Sequence, residues 1–249
     1  MIKAEDDITQ QNLFTYRRIR RAIGWLAFSL PVSLVLFSSI GFFKTGIQQS
    51  ISEYYYTNLR EIFTGTLCAV GFFLIRYKGN GNTDFFKNDT LLTSIAGAMA
   101  IGVALLPTNP DCPWEKVDTL IPLNAPVIGW LHYGCAAMLF MICSVLCINV
   151  FTLGPGEQKE QTGESRIYRI CGWSIIVFII MVPLCAYLEV PYATLIFEAF
   201  SLFAFGLAWL VKGRALSDML SLQKMYGESS GMTEKELETG NTKTSDVDF

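Results

Sequence analysis

The sequence is short of charge, of histidine and of paired cysteines. Charged residues fill 16% of its 249 positions and hydrophobic ones 51%, where a soluble domain carries about 25% charged residues. A surface that poor in charge argues against a soluble globular protein. There is one histidine, His132. Zinc sites need several His or Cys ligands, so His132, with no second His or Cys on its face, reads as a hydrogen-bonding residue rather than a metal ligand. The seven cysteines form no CxxC pair. Cys68, Cys135, Cys143 and Cys147 lie in apolar stretches, where a thiol behaves as a small hydrophobe. Cys171 falls on the cytoplasmic side. Only Cys112 and Cys185 would face an oxidising compartment, and a bridge between them is left open. No metal and no cofactor is expected. The net charge of -3 says little about partners, and the basic cluster abuts an apolar stretch, so nucleic acid is not an expected partner.

What the chain does have is six long apolar stretches: Ala22 to Phe43, Leu59 to Tyr77, Thr90 to Leu106, Val127 to Leu153, Tyr168 to Leu188 and Tyr192 to Val211. Each approaches the roughly 20 apolar residues that a spanning helix needs. They are too continuously apolar for barrel strands, which alternate. The first lies behind a polar arm and is too long for the core of a cleaved signal. The expected fold is therefore all-α: a polytopic, six-transmembrane-helix bundle embedded in the lipid bilayer.

Orientation follows from the basic residues. Of nineteen Lys and Arg, sixteen fall in the amino-terminal arm, the second and fourth gaps with the stretch ends that adjoin them, and the tail, and three (Lys44, Arg60 and Lys116) fall on the other side. Loops rich in Lys and Arg stay cytoplasmic, so both termini are expected there. The chain divides into a polar then basic arm at 1–21, the membrane domain at 22–213, a short amphipathic helix at 214–226 and a disordered tail at 227–249, where apolar residues are too few to offset ordering. Arg17, Arg18, Arg20 and Arg21 read as a topology anchor. In the third stretch, Ser94, Ala98 and Gly102 and likewise Ala96, Ala100 and Ala104 repeat every four residues. That spacing lets helices approach closely and suggests a place near the bundle centre; a merely Ala-rich helix is the alternative. Asn88 is expected to cap this helix.

The polar residues of the spans gather toward the outer face. Glu198 lies about two turns into the sixth stretch among Phe197, Ala199 and Phe200. A carboxylate there costs several kcal/mol unless it faces protein or water, so it is expected to contact Arg60, His132 or both. Glu61, Glu53, Tyr55 and Glu189 complete a candidate ligand-binding set at the same end, and no comparable set is expected in the inner half. Simpler roles exist for several of these: Asn58 and Glu61, and Ser50 and Glu53, have capping-box spacing, and Tyr54 to Tyr56 could form an interfacial aromatic belt.

The run Ser50-Ile51-Ser52-Glu53-Tyr54-Tyr55-Tyr56-Thr57-Asn58-Leu59-Arg60-Glu61-Ile62-Phe63-Thr64-Gly65, with Gly97, Ala104 to Thr108, Leu131-His132 and Phe205 to Gly213, resembles a bacterial family of six-helix integral membrane proteins catalogued as a domain of unknown function. The resemblance covers residues 20–213. It implies the same bundle and a cell-membrane location, and it carries no catalytic residues over. The expected function is binding of a small ligand, a lipid or a partner in a polar pocket in the outer half of the bundle. A small-solute or lipid transporter is the alternative, although no inverted repeat or matched pair of broken helices is visible. An intramembrane lipid hydrolase is a third reading. The single histidine and the lack of a clear nucleophile count against it.

Overall fold

The computed structural model describes residues 2–79, 82–109, 119–121, 127–153 and 163–213, with side chains from Thr15 onward. The amphipathic segment and the tail expected from residue 214 lie outside these residues, as does Cys112; Cys185 is a free thiol. The described residues are helical, without a strand. The helices are α1 (Ile2–Ser38), α2 (Arg60–Arg76), α3 (Asp89–Leu105), α4 (Val127–Val145), α5 (Gly163–Tyr187) and α6 (Ala193–Lys212). Four of them carry stretches long and apolar enough to cross a membrane: Thr15–Ser38 of α1, Val127–Val150 in α4 and its extension, α5 and α6. Helices α2 and α3 have 17 residues each. At 1.5 Å per residue that is about 25 Å, at the short limit for a span.

Local chemistry accounts for most boundaries. Asn88 caps α3 as expected, its side chain accepting the Leu91 N–H at 2.9 Å. Pro107 follows the end of α3 and cannot continue it. The basic arm is not a separate segment but the start of α1. The fourth apolar stretch is not one regular helix: α4 passes into a π turn at Leu146–Val150, closed by the Phe151 N–H on the Leu146 carbonyl at 2.8 Å. This turn delivers Phe151 to the bundle interior.

Each helix packs on its neighbours in sequence, and α6 packs on α1, so the six form a closed up-and-down ring. Helix α3 sits between α2 and α4 and is not a central hub. Its small residues serve pairwise contact instead. A Cβ on Gly97 would lie 2.5 Å from the Gly71 carbonyl oxygen of α2, and one on Gly71 would lie 2.8 Å from the Gly97 oxygen. The same reciprocal approach closes the ring. A Cβ on Gly24 of α1 or on Gly206 of α6 would each stand 2.9 Å from the other's carbonyl oxygen. Backbones this close leave room for hydrogen only, which is the small-residue packing used where lipid gives helices no hydrophobic drive to associate.

All six helices contribute to one apolar core, including Leu30, Phe63, Ala100, Cys143, Ile175 and Phe205. The exterior is apolar too. Val32, Leu36, Phe72, Ile170, Trp173 and Val177 are large, hydrophobic and exposed, a surface far larger than the isolated patches of a soluble monomer.

Candidate functional site

Two polar clusters close the ring, one at each end. The first is built around residues 45–59, between α1 and α2. This segment folds inward, with a 3-10 turn at Ser52–Tyr56, and forms a plug. Tyr54 is 0% exposed, and Ile51, Tyr55 and Leu59 are also buried. The tyrosines therefore do not form an interfacial belt: Tyr54 and Tyr55 are core residues, because the loop carrying them enters the bundle.

Four helix ends hold the plug. In α6, Glu198 Oε2 accepts the Ser50 hydroxyl and the Ile51 N–H, both at 2.7 Å. At the start of α6, the Gln49 side-chain oxygen accepts the Tyr192 N–H at 2.7 Å, and its main-chain oxygen accepts the Leu195 N–H at 2.9 Å. Helix α6 has no side-chain cap of its own, so the plug satisfies donors that every helix start leaves open. In α4, His132 is 1% exposed. Its Nδ1 lies 2.7 Å from the Leu106 carbonyl and its Nε2 3.0 Å from the Ser52 hydroxyl. A carbonyl can only accept, so Nδ1 carries the proton and Nε2 accepts from Ser52. The Tyr54 hydroxyl reaches Ser38 at the end of α1 at 3.2 Å, and the Tyr56 hydroxyl donates to the Thr108 carbonyl beyond α3.

The expected residues are thus partly gathered and partly dispersed. Glu198 and His132 both bind the plug but do not meet each other or Arg60. The Glu198 partners are neutral donors from a loop whose inward fold is a tertiary event. Arg60 instead lies over the Tyr55 ring, 4.8 Å from its centroid, and donates to the Tyr55 carbonyl. Glu53 accepts the Gln49 N–H at 2.9 Å, close to the capping role its spacing allows. Glu61 is exposed in the first turn of α2, and the side chain of Asn58 binds the Phe43 carbonyl rather than capping α2. Glu189 is exposed in the α5–α6 turn, at φ 53°. Among the described residues, the non-glycine residues at positive φ are Lys44, Glu189 and Tyr192; Lys44 adjoins the plug in sequence, Tyr192 bonds to it, and Glu189 lies in the turn that leads to Tyr192. Such conformations cost about 1–3 kcal/mol each and gather at functional or switching sites.

The second cluster, at the opposite end, was missed. Arg20 of α1 donates to the Tyr77 hydroxyl from Nη2 at 2.8 Å and from Nε at 3.2 Å. Tyr77 in turn donates to Asp89 at the start of α3, at 3.1 Å. Arg20 and Arg21 also reach the last carbonyls of α6, at Lys212 (3.5 Å) and Gly213 (3.0 Å), where a cation suits the negative end of the helix dipole. Two of the anchor arginines are thus structural parts of the ring closure. Lys212 lies above the rings of Phe151 and Tyr168, 5.3 and 5.8 Å from their centroids. Beneath them Trp209 is 0% exposed and meets Tyr77 and Phe151 edge to face. Among the described residues its indole N–H has no acceptor, a burial that costs about 1–3 kcal/mol.

Sequence signals for this second cluster existed. Tyr77 ends the second apolar stretch and Lys212 follows the sixth, but neither position marks the partners it meets in the bundle. Among the described residues, no group of His, Cys, Asp and Glu could hold a metal ion. Comparison with protein-family models, with curated proteins and with solved structures gives no match.

Proposed function

We propose that the chain is a six-span protein of the cell membrane, with both termini cytoplasmic, that binds a small ligand, a lipid or a partner at its outer face by releasing its own plug. The carrying observation is the double hydrogen bond from Ser50 and Ile51 to Glu198. A carboxylate inside an apolar helix is held there by a loop, through neutral donors that a ligand's own donors can replace. The strained residues Lys44 and Tyr192 beside the plug fit a segment with a second position. Six spans are supported by the ring itself. The Gly71–Gly97 contact joins α2 to α3 near mid-helix, and Gly102 of α3 packs against Cys135 of α4, so the two short helices lie alongside the long ones. The orientation rests on the uneven division of the basic residues.

The test is native mass spectrometry of the purified protein beside its Glu198→Gln variant, with a cysteine at position 50 probed by an impermeant thiol reagent in intact cells. A bound mass present in the wild type and lost in the variant, together with labelling that this mass suppresses or enhances, is the expected result. An empty wild type with a permanently unlabelled position 50 would sink the reading. One observation favours a transporter as the second reading: the two ends are closed by different devices, which could open separately. Solute flux in proteoliposomes distinguishes it from a binding protein.

A further inference from the structure

The basic end contains more donor capacity than the fold uses. Lys212 projects a half-buried ammonium over two aromatic rings, and among the described residues nothing accepts a hydrogen bond from it. Asp89 and Glu164 are near enough for their charges to act on it, as is Arg20, but neither carboxylate forms an ion pair with it. One turn earlier on the same helix, the Trp209 indole N–H is fully buried without an acceptor among the described residues. The two residues share a floor, because Lys212 and Trp209 both pack on the Phe151 ring. Arg20 lies over Tyr77 on the adjoining side, 5.4 Å from its centroid, and Tyr77 touches Trp209 in turn.

Two cations, Lys212 and Arg20, are near enough to repel each other, and an anion between them would relieve that repulsion; of the two carboxylates, Asp89 already accepts from Tyr77. The carbonyls at the end of α6, which would repel an anion, are already engaged by Arg20 and Arg21. A phosphate oxygen is the acceptor that matches an ammonium and a guanidinium side by side, since charge-assisted bonds of this kind are the strong ones.

We propose that the basic end is a binding site for a phosphate ester, in which Lys212 and Arg20 engage the phosphate oxygens and Trp209 supplies the indole N–H. The phosphate could belong to a lipid headgroup of the adjoining leaflet or to a free phosphate compound. The site shares no residue with the plug, so its failure would leave the outer-face reading intact, and the reverse holds.

The full-length protein in neutral detergent is titrated separately with dioctanoyl phosphatidylglycerol, inorganic phosphate and dioctanoylglycerol, following binding and melting temperature. The expected result is a rise in melting temperature with the phospholipid and none with dioctanoylglycerol, which lacks the phosphate. A response to inorganic phosphate as well assigns the site to phosphate itself; a response to the phospholipid alone assigns it to a headgroup. Lys212→Gln is expected to weaken binding about tenfold, the loss of one charge-assisted contact. Trp209→Phe removes the N–H together with part of the ring, so its binding is compared at a temperature where it stays folded, and it is expected to weaken binding by a smaller factor. Absence of any shift, an equal shift with dioctanoylglycerol, or wild-type affinity in either variant would overturn the assignment. Should Lys212→Gln fail to fold, Lys212→Met, which keeps the stem over the Phe151 and Tyr168 rings, decides alone.

Discussion

The two ends of the ring solve the same problem with opposite materials. At the plug end, a loop enters the bundle and is fastened mainly by uncharged groups of its own, with Ser50, Ile51 and Ser52 donating and Gln49 accepting. At the basic end, no loop enters among the described residues. The helices lock directly, through Arg20, Tyr77 and Asp89 and through aromatic rings around Trp209. A loop held by neutral donors can be exchanged for another set of donors. A lock made from the helices themselves cannot open without moving the helices. On the reading proposed above, the plug end is the more readily opened of the two.

The first way to break this comparison is all-or-none. If the basic end is cytoplasmic, a reporter active only in the cytoplasm and fused after Phe249 should be fully active, and one inserted beside Lys44 should be silent. The reverse pattern would exchange the two faces and overturn the orientation.

The next effects are graded, and thermal or denaturant unfolding in one fixed detergent measures them. Tyr77→Phe removes the hydroxyl that joins Arg20 to Asp89 and should cost about 2–3 kcal/mol, since charged groups lose their bridge. A cost no larger than that of Glu198→Gln would show that the basic end is no stronger than the plug. Glu198→Leu strands the Ser50 hydroxyl and the Ile51 N–H and should cost about 2 kcal/mol, whereas Glu198→Gln keeps an acceptor and should cost under about 1 kcal/mol. Equal costs for the two variants would mean that the hydrogen bonds do not hold the plug. Gln49→Ala should cost about 1 kcal/mol through the start of α6, with increased hydrogen exchange confined to the plug and that helix end. Exchange spreading to the basic end would show that the two clusters are coupled.

Much of the frame was legible in the residues. Runs of apolar side chains mark helices because a backbone surrounded by apolar groups must satisfy itself, and Asn88 marks a cap because its side chain reaches only three residues along. The π turn at Leu146–Val150 left no such mark, since a continuous apolar run permits both helix types. Glu198 was recognisable as a residue needing a partner, from the cost of its charge. Its partner was not, because Ser50 and Ile51 are about 150 positions away and lie in a loop whose polar residues suit solvent equally well.

By itself, then, the sequence determined the helical class, the six long helices found among the described residues and the uneven division of basic residues, all of which follow from local composition and periodicity. Only the tertiary structure decided that the ring closes α6 on α1, that the tyrosine loop turns inward, and that Arg20, Tyr77, Asp89 and Lys212 meet at one end. The physical reason is the range of the interactions. Apolar runs and caps act over a few residues of one chain segment. A hydrogen bond to Glu198, or a glycine that admits a neighbouring carbonyl, depends on which helices stand side by side, and six apolar helices carry little in their order that dictates this.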